Sequence, residues 1–295
     1  MNNRTKGLCL AAIGALLWGA SGVAAQYLFH QKGFSPEFLV VIRLLTSGCL
    51  LLGIDGLLNF GDIFTIWHSS YDRLQLLLFG IIGMLSVQYT YFAAISCSNA
   101  ATATVLQYLM PVIVVFWVSL RDRRLPHIYE VVAIALAMLG TLLLVTKGDF
   151  TSLAISKAAL FWGILSALSA AFYTLQPKYL LQHWRSPLVI GWGMLLGGIV
   201  MLALSGFDRG SAIFDLEAAG ALAFVVCFGT VLAFWSYLES IKYIRPTETS
   251  TLGSLEPLAA VLLSVLLLGI PFGPFDIGGS LLMMLAVGML SRLKR

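Results

Sequence analysis

The chain has 295 residues, of which 59% are hydrophobic and 11% charged, with a formal net charge of +4 and a mean hydropathy of +0.91. Soluble domains carry about 25% charged residues, so this composition excludes a water-soluble globular protein and indicates an integral membrane protein. The basic residues are dispersed over short segments with no concentrated patch, which excludes nucleic acid as a partner.

A helix needs about 20 apolar residues to cross a bilayer, and ten such stretches occur. The first lies at 7–28 and contains Trp18-Gly19. Arg4 and Lys6 precede it and small residues follow, the pattern of a signal peptide, but its length and the polytopic context favour an uncleaved span. The second, at 38–58, holds Arg43; the third, at 74–95, holds Gln88 and Tyr91; the fourth, at 100–120, holds Gln107 and Pro111. The fifth lies at 128–146 and the sixth, with Tyr173, at 156–175. The seventh, at 188–205, carries Trp192 and a Gly193/Gly197 small-residue surface suited to a helix contact. After the eighth, at 216–238, the ninth at 247–268 contains Ser250, Gly253, Ser254, Glu256 and Pro257, and the tenth lies at 274–291.

Orientation follows from the lysines and arginines, because positively charged loops resist translocation. A cytoplasmic N-terminus puts thirteen of the eighteen on that side, namely Arg4, Lys6, Arg73, Arg121, Arg123, Arg124, Lys178, Arg185, Lys242, Arg245, Arg292, Lys294 and Arg295. Only Lys32, Lys147, Lys157 and Arg209 lie opposite, and Arg43 is within a span. Both termini are therefore expected in the cytoplasm of a multi-pass cell-membrane protein. The cysteines (Cys9, Cys49, Cys97, Cys227) and histidines (His30, His68, His127, His183) are scattered singly, which supports neither a disulfide framework nor a metal site.

The second half repeats the first. An offset of 146 sets Tyr91, Ile95, Leu106, Leu109, Pro111 and Val115 on Tyr237, Ile241, Leu252, Leu255, Pro257 and Val261, and Gly83 on Gly229. Ala15-Leu16 and Tyr27-Leu28 match Ala167-Leu168 and Tyr179-Leu180 at 152, a loop-sized difference. With five spans per repeat, the second copy enters from the opposite side, an arrangement found in transporters. The expected fold is all-α, ten transmembrane helices as two inverted five-helix repeats, at 1–146 and 147–295.

The residues from Tyr91 through Ala101, Thr104, Leu106 and Pro111, their partners from Tyr237 through Thr247, Ser250, Leu252 and Pro257, and Trp18-Gly19 resemble the EamA-type branch of the drug/metabolite transporter superfamily. The resemblance covers nearly the whole chain and implies a ten-helix secondary transporter, with export of amino acids and related metabolites common in the family. One departure is visible. Where family members often carry a glutamate closing the fourth and ninth spans, this chain has Arg121 to Arg123 and Gly269-Ile270-Pro271, so no role of those glutamates carries over.

The candidate site rests on the residues themselves. Proline inside a helix has no N–H and clashes with the carbonyl four residues back, so Pro111 frees Gln107 and Pro257 frees Gly253. Exposed backbone at that depth is tolerated inside protein or beside a water-filled cavity, which brings the fourth and ninth spans face to face, unless each is a simple packed kink. Glu256 stands about nine residues into its span, ~13 Å deep, where a carboxylate costs roughly 2.5–3.5 kcal/mol on insertion scales. Its repeat partner is Met110. It reads either as a site for a substrate cation or a coupling proton, or as a structural glutamate, protonated or paired with Arg43. Arg43 reads as a substrate-carboxylate contact or gate, or as an anchor snorkelling to the interface. Gln88, Tyr91, Gln107, Tyr173, Trp192, Ser250 and Ser254 complete a candidate lining, with Pro111, Pro257 and Gly253 as hinges, while Tyr89 and Tyr108 have interfacial positions as their alternative.

No Walker A, HExxH or GxSxG sequence occurs, and no cofactor is expected. The expectation is a carrier, not an enzyme, for small polar metabolites of the amino-acid class, with protons as a possible coupling partner; nucleobases, nucleosides and amines are the alternative substrates, and a channel or intramembrane enzyme the alternative class.

Overall fold

The computed structural model describes residues 3–59, 63–121, 123, 125, 127–149, 154–240, 242–244, 249, 252–253 and 255–292. Among them every extended element is helical, and an isolated β-bridge joins Phe34 to Gly210. Eight helices are long and apolar enough to cross a membrane, and Leu255–Leu268 and Pro274–Met289 are shorter apolar helices in the ninth and tenth positions.

Local chemistry sets the helix ends. At the end of the bundle away from the termini, side-chain caps begin several spans by satisfying an otherwise orphaned N–H. Asn99 accepts from the Thr102 N–H at 2.8 Å, Ser156 from Ala159 at 3.0 Å and Asp215 from Ala218 at 2.8 Å. The fifth and seventh spans stop there at left-handed residues, Lys147 (φ 49°) and Gly206 (φ 62°). Gly206 adopts this conformation at no steric cost.

Several spans are not the continuous helices expected. The fourth divides into Ala100–Gln107 and Met110–Arg121. Pro111 has no N–H to offer Gln107, and the chain tightens instead, with the N–H groups of Val112 and Ile113 both donating to the Leu109 carbonyl. The sixth runs Lys157–Leu175 and, past Pro177, resumes as Lys178–His183. The third span, between Ser70 and Cys97, widens to π-helix over Phe79–Leu85, and the eighth, from Leu216 to Ser240, does so over Phe224–Leu232. These two π segments fall at matching places in the two halves, around Gly83 and Gly229. Such segments insert one extra residue per turn and loosen the backbone ladder, commonly at functional sites.

Packing repeats as well. The second span, Pro36–Asn59, lies along the seventh, Ser186–Ser205, and the fifth, Ile128–Thr146, along the tenth, Pro274–Arg292. The first, Asn3–His30, packs on the eighth and ninth, while the sixth packs on the third and fourth; the fourth and ninth meet. Exchanging each span for its counterpart five positions on maps this set of contacts onto itself. Five spans per repeat make the two halves inverted. Close approach uses glycine: a Cβ at Gly19 would sit 2.5 Å from the Glu256 carbonyl, and one at Gly229 would collide with Ser21. The outer surface presents Phe116, Trp117, Met138, Leu204 and Leu266, more than half exposed each, a belt suited to lipid.

Candidate functional site

Five spans converge around Glu256. The Tyr108 hydroxyl, at the break of the fourth span, donates to the Gly253 carbonyl at 2.7 Å and lies 3.3 Å from the Glu256 carboxylate. Gly253 is the residue whose carbonyl Pro257 deprives of its helical N–H. A tyrosine from one repeat thus occupies the acceptor that a proline exposes in the other. Tyr108 is part-buried here, not a lipid-facing belt residue.

Arg43 enters from the second span and is 5% exposed, so it does not snorkel to the interface. Its Nε donates to the Thr230 hydroxyl at 2.7 Å and its Nη2 to the Gly229 carbonyl at 3.3 Å, with the guanidinium 5.0 Å above the Phe92 ring. Both acceptors belong to the π segment of the eighth span, where Thr230 in turn donates to the Val225 carbonyl at 2.9 Å. The wide turn is what leaves a carbonyl facing the arginine. Glu256 lies within Coulomb reach of Arg43, Tyr91, Tyr108 and Tyr237. Among the described residues the ion pairs run from Lys32 to Asp215 and Glu217, Lys147 to Asp276, Arg185 to Asp55 and Lys242 to Glu239; Arg43 and Glu256 are near but not paired.

The first span lies against this group. The position of a Gly22 Cβ is 2.7 Å from the Tyr91 hydroxyl, which is hydrogen-bonded to Thr104 at 2.7 Å. Trp18 packs on Tyr237, ring centroids 4.8 Å apart. The Trp18 indole N–H and the Ser21 hydroxyl are buried with no partner among the described residues. Buried donors of this kind call for an explanation, and a ligand would satisfy them.

Not all of the residues expected in the lining meet there. Gln107 donates to Ser166 of the sixth span at 2.8 Å, and Tyr173 stacks on Phe79 at 5.5 Å. Trp192 donates to the Ile63 carbonyl at 2.8 Å and packs on Phe64 and Trp67, which holds it at the end of the bundle carrying the termini. Gln88 is buried one turn before Tyr91. Ser250, Ser254 and the side chain of Pro111 lie outside the described residues. Tyr237, Thr230 and Trp18 are members that the expected lining omits, and Tyr108, expected either there or at the interface, lies in the site. The repeat marked one of them, since Tyr237 is the counterpart of Tyr91.

Both ends of the bundle are clamped. Away from the termini, Lys32 bridges Asp215 at 2.5 Å and Glu217 at 2.7 Å, and Tyr27 donates to Glu217 at 2.7 Å. Backbone bonds extend the strap: Ile213 N–H to the Lys32 carbonyl at 2.8 Å, and the Ser35 hydroxyl to the Asp208 carbonyl at 2.7 Å. Phe34, Phe38, Phe207 and Phe214 cluster beneath it. At the other end Arg185 forks onto the buried Asp55, Nε to Oδ1 at 3.0 Å and Nη2 to Oδ2 at 2.7 Å. The two clamps are counterparts, the connection after the first or sixth span gripping the ends of the seventh and eighth, or of the second.

Hydrogen bonds to Asp215 and then Glu217 hold the Lys32 ammonium above its ordinary value. The same lysine, followed by the Ala218 N–H, holds the Asp215 carboxyl below the usual carboxylate range. A raised lysine keeps its contribution until pH rises past its shifted value, and a lowered carboxylate until pH falls past its own, so the clamp stays charged across mildly acidic to alkaline pH. Lys32→Met is expected to speed maleimide labelling of a Ser21→Cys probe several-fold from that end, with the ratio of the two rates constant between about pH 5.5 and 7.5 because the thiolate fraction cancels. Equal labelling rates in the two proteins would remove the clamp as a closure.

Comparison with known proteins agrees with the geometry. The family model described as the EamA-like transporter family matches twice, at residues 5–146 and 157–292. An uncharacterized inner membrane transporter, YicL, of Salmonella typhimurium is 43% identical over 293 residues, covering 99% of this chain and 97% of that protein. The uncharacterized transporter YyaM of Bacillus subtilis is 23% identical, covering 73% of this chain and 72% of its own length. A solved crystal structure superposes with a TM-score of 0.64 at 15% identity, over 97% of this chain and 98% of the other, which supports the fold alone.

Proposed function

Because the chain belongs to the EamA-like transporter family, we propose that it is a secondary carrier for zwitterionic metabolites of the amino-acid class, working by alternating access. The observation that carries this reading is the pair of opposite charges in one enclosed site. Arg43 and Glu256 share the core between the repeats without touching each other. A fully compensated pair would have closed on itself. Two charges held apart, with tyrosine hydroxyls and the unpartnered Trp18 and Ser21 donors on the adjoining spans, suit a ligand with a carboxylate at one end and an ammonium at the other.

In this mechanism the guanidinium receives the substrate carboxylate, bidentately through the N–H groups used by neither Thr230 nor Gly229. Glu256 receives the ammonium, and aromatic rings of Trp18 and Tyr237 flank the carbon skeleton. The two clamps then release in turn, Lys32 from Asp215 on one side and Arg185 from Asp55 on the other, as the repeats rock about the broken fourth span and the ninth span that it meets. Glu256 is also the group available to carry a coupling proton. An inner-membrane location is supported by the Salmonella relative, both termini cytoplasmic by the distribution of lysine and arginine, and export by resemblance to the family.

Counterflow tests the reading. Proteoliposomes loaded with a mixture of unlabelled amino acids are expected to accumulate at least one labelled amino acid transiently above equilibrium. Folded protein that accumulates nucleobases, nucleosides or monoamines but no amino acid would replace the substrate class, and accumulation of nothing would overturn carriage of any of them.

A further inference from the structure

We propose a second binding site, for an organic ammonium group carried on an apolar body, in a lateral groove between the two repeats. A cavity of about 450 Å³ lies between the second, third, sixth and seventh spans, toward the end away from the termini. That volume is within the range of small-molecule sites, roughly 300–1,000 Å³. None of Arg43, Tyr108, Tyr237 and Glu256 lines it, so it is separate from the core site.

Its chemistry centres on Glu37, in the first turn of the second span. The Tyr89 hydroxyl donates to Glu37 Oε1 at 2.8 Å, and no other hydrogen bond or ion pair reaches that carboxylate among the described residues. A carboxylate can accept about four bonds, so most of its capacity and all of its charge remain available. The Tyr89 and Trp162 rings meet edge-on at 5.4 Å beside it. Aromatic faces next to a carboxylate attract a cation by quadrupole and charge together. The rest of the wall is mainly aliphatic, from Leu85, Leu165 and Met201 to Leu204, which is 76% exposed on the lipid-facing surface, and the hydroxyls of Ser86, Thr90 and Ser205 within it donate to carbonyls of their own helices.

An anion would be repelled here, and a neutral apolar molecule would leave Glu37 without a counter-charge. An ammonium with a short hydrocarbon body meets both halves of the groove. Two sources share this chemistry: the ethanolamine head group of a phospholipid entering from the bilayer, and a free amphiphilic amine.

The test uses the full chain in phosphatidylglycerol nanodiscs, with tritiated n-octylamine as probe and n-octanol as its neutral counterpart. Saturable octylamine binding is expected, weakened at least tenfold by Glu37→Gln and several-fold by Trp162→Leu, with octanol showing no saturable site. Tyr89→Phe removes the competing donor and keeps the ring, so it is expected to retain or tighten octylamine binding, and this arm serves should Glu37→Gln fail to fold. Octylamine binding unaffected by Glu37→Gln, or weakened tenfold by Tyr89→Phe, overturns the proposal. Adding phosphatidylethanolamine separates the sources: displacement of the probe assigns the site to the lipid head group, and retention assigns it to free amines.

Discussion

Glu256→Gln is expected to abolish net accumulation of substrate while leaving a folded protein. The substitution keeps the shape of the side chain and its place beside Tyr108 but removes the charge. Hydrogen bonds to charged groups contribute about 1.5–3 kcal/mol, so loss of an ammonium contact alone lowers apparent affinity roughly ten- to hundred-fold. The two roles open to Glu256 separate in one experiment. A glutamate that binds only the substrate ammonium loses counterflow and gradient-driven uptake together. A glutamate that carries the coupling proton loses the pH-driven component, while exchange at equal pH persists. Wild-type counterflow and wild-type pH dependence in Glu256→Gln would remove this residue from both roles, whatever its depth in the membrane.

Arg43→Met is expected to be the most damaging single change in the core, and to act on transport and folding at once. It strips the Thr230 hydroxyl and the Gly229 carbonyl of their donor. A buried acceptor left unsatisfied costs about 1–3 kcal/mol, discharged against the relief of no longer burying a cation. The net destabilisation is therefore smaller than the functional loss, which removes the counter-charge for a carboxylate. Arg43→Lys distinguishes the two effects. Lysine retains the charge but cannot fork to two oxygens, so it is expected to preserve most of the thermal stability yet raise KM by about tenfold or more for a carboxylate-bearing substrate. An Arg43→Lys protein with wild-type KM would make Arg43 a structural tie to the eighth span.

Much of the architecture was legible in one dimension. Ten apolar stretches, the repeat offset and the odd number of spans per half led to two inverted five-helix repeats. Pro111 marks the break of the fourth span and Pro257 the Gly253 carbonyl that Tyr108 takes up, because a missing N–H is a property of the residue itself; the π segments of the third and eighth spans have no such marker. Arg43 and Glu256 stood out because intramembrane charge is costly wherever it is placed. The lining was much less legible. Gln107, Tyr173 and Trp192 qualify for a lining only as polar or aromatic groups within spans, and the structure pairs them with Ser166, Phe79 and the Ile63 carbonyl. Helices apolar all round carry little signal of which face meets which neighbour.

The amino-acid sequence by itself determined class, span number, repeat and the two intramembrane charges, since each follows from local composition or from identity at a fixed offset. Only the tertiary structure decided that the π segment of the eighth span receives Arg43, that Tyr108 caps the carbonyl Pro257 exposes, and that Glu37 borders a groove of its own. Those relations join residues 186, 145 and 52 positions apart in the chain. The azimuth of one helix against another sets them, and in a uniformly apolar span that azimuth is fixed by side-chain packing at the contact and by no periodicity along the chain.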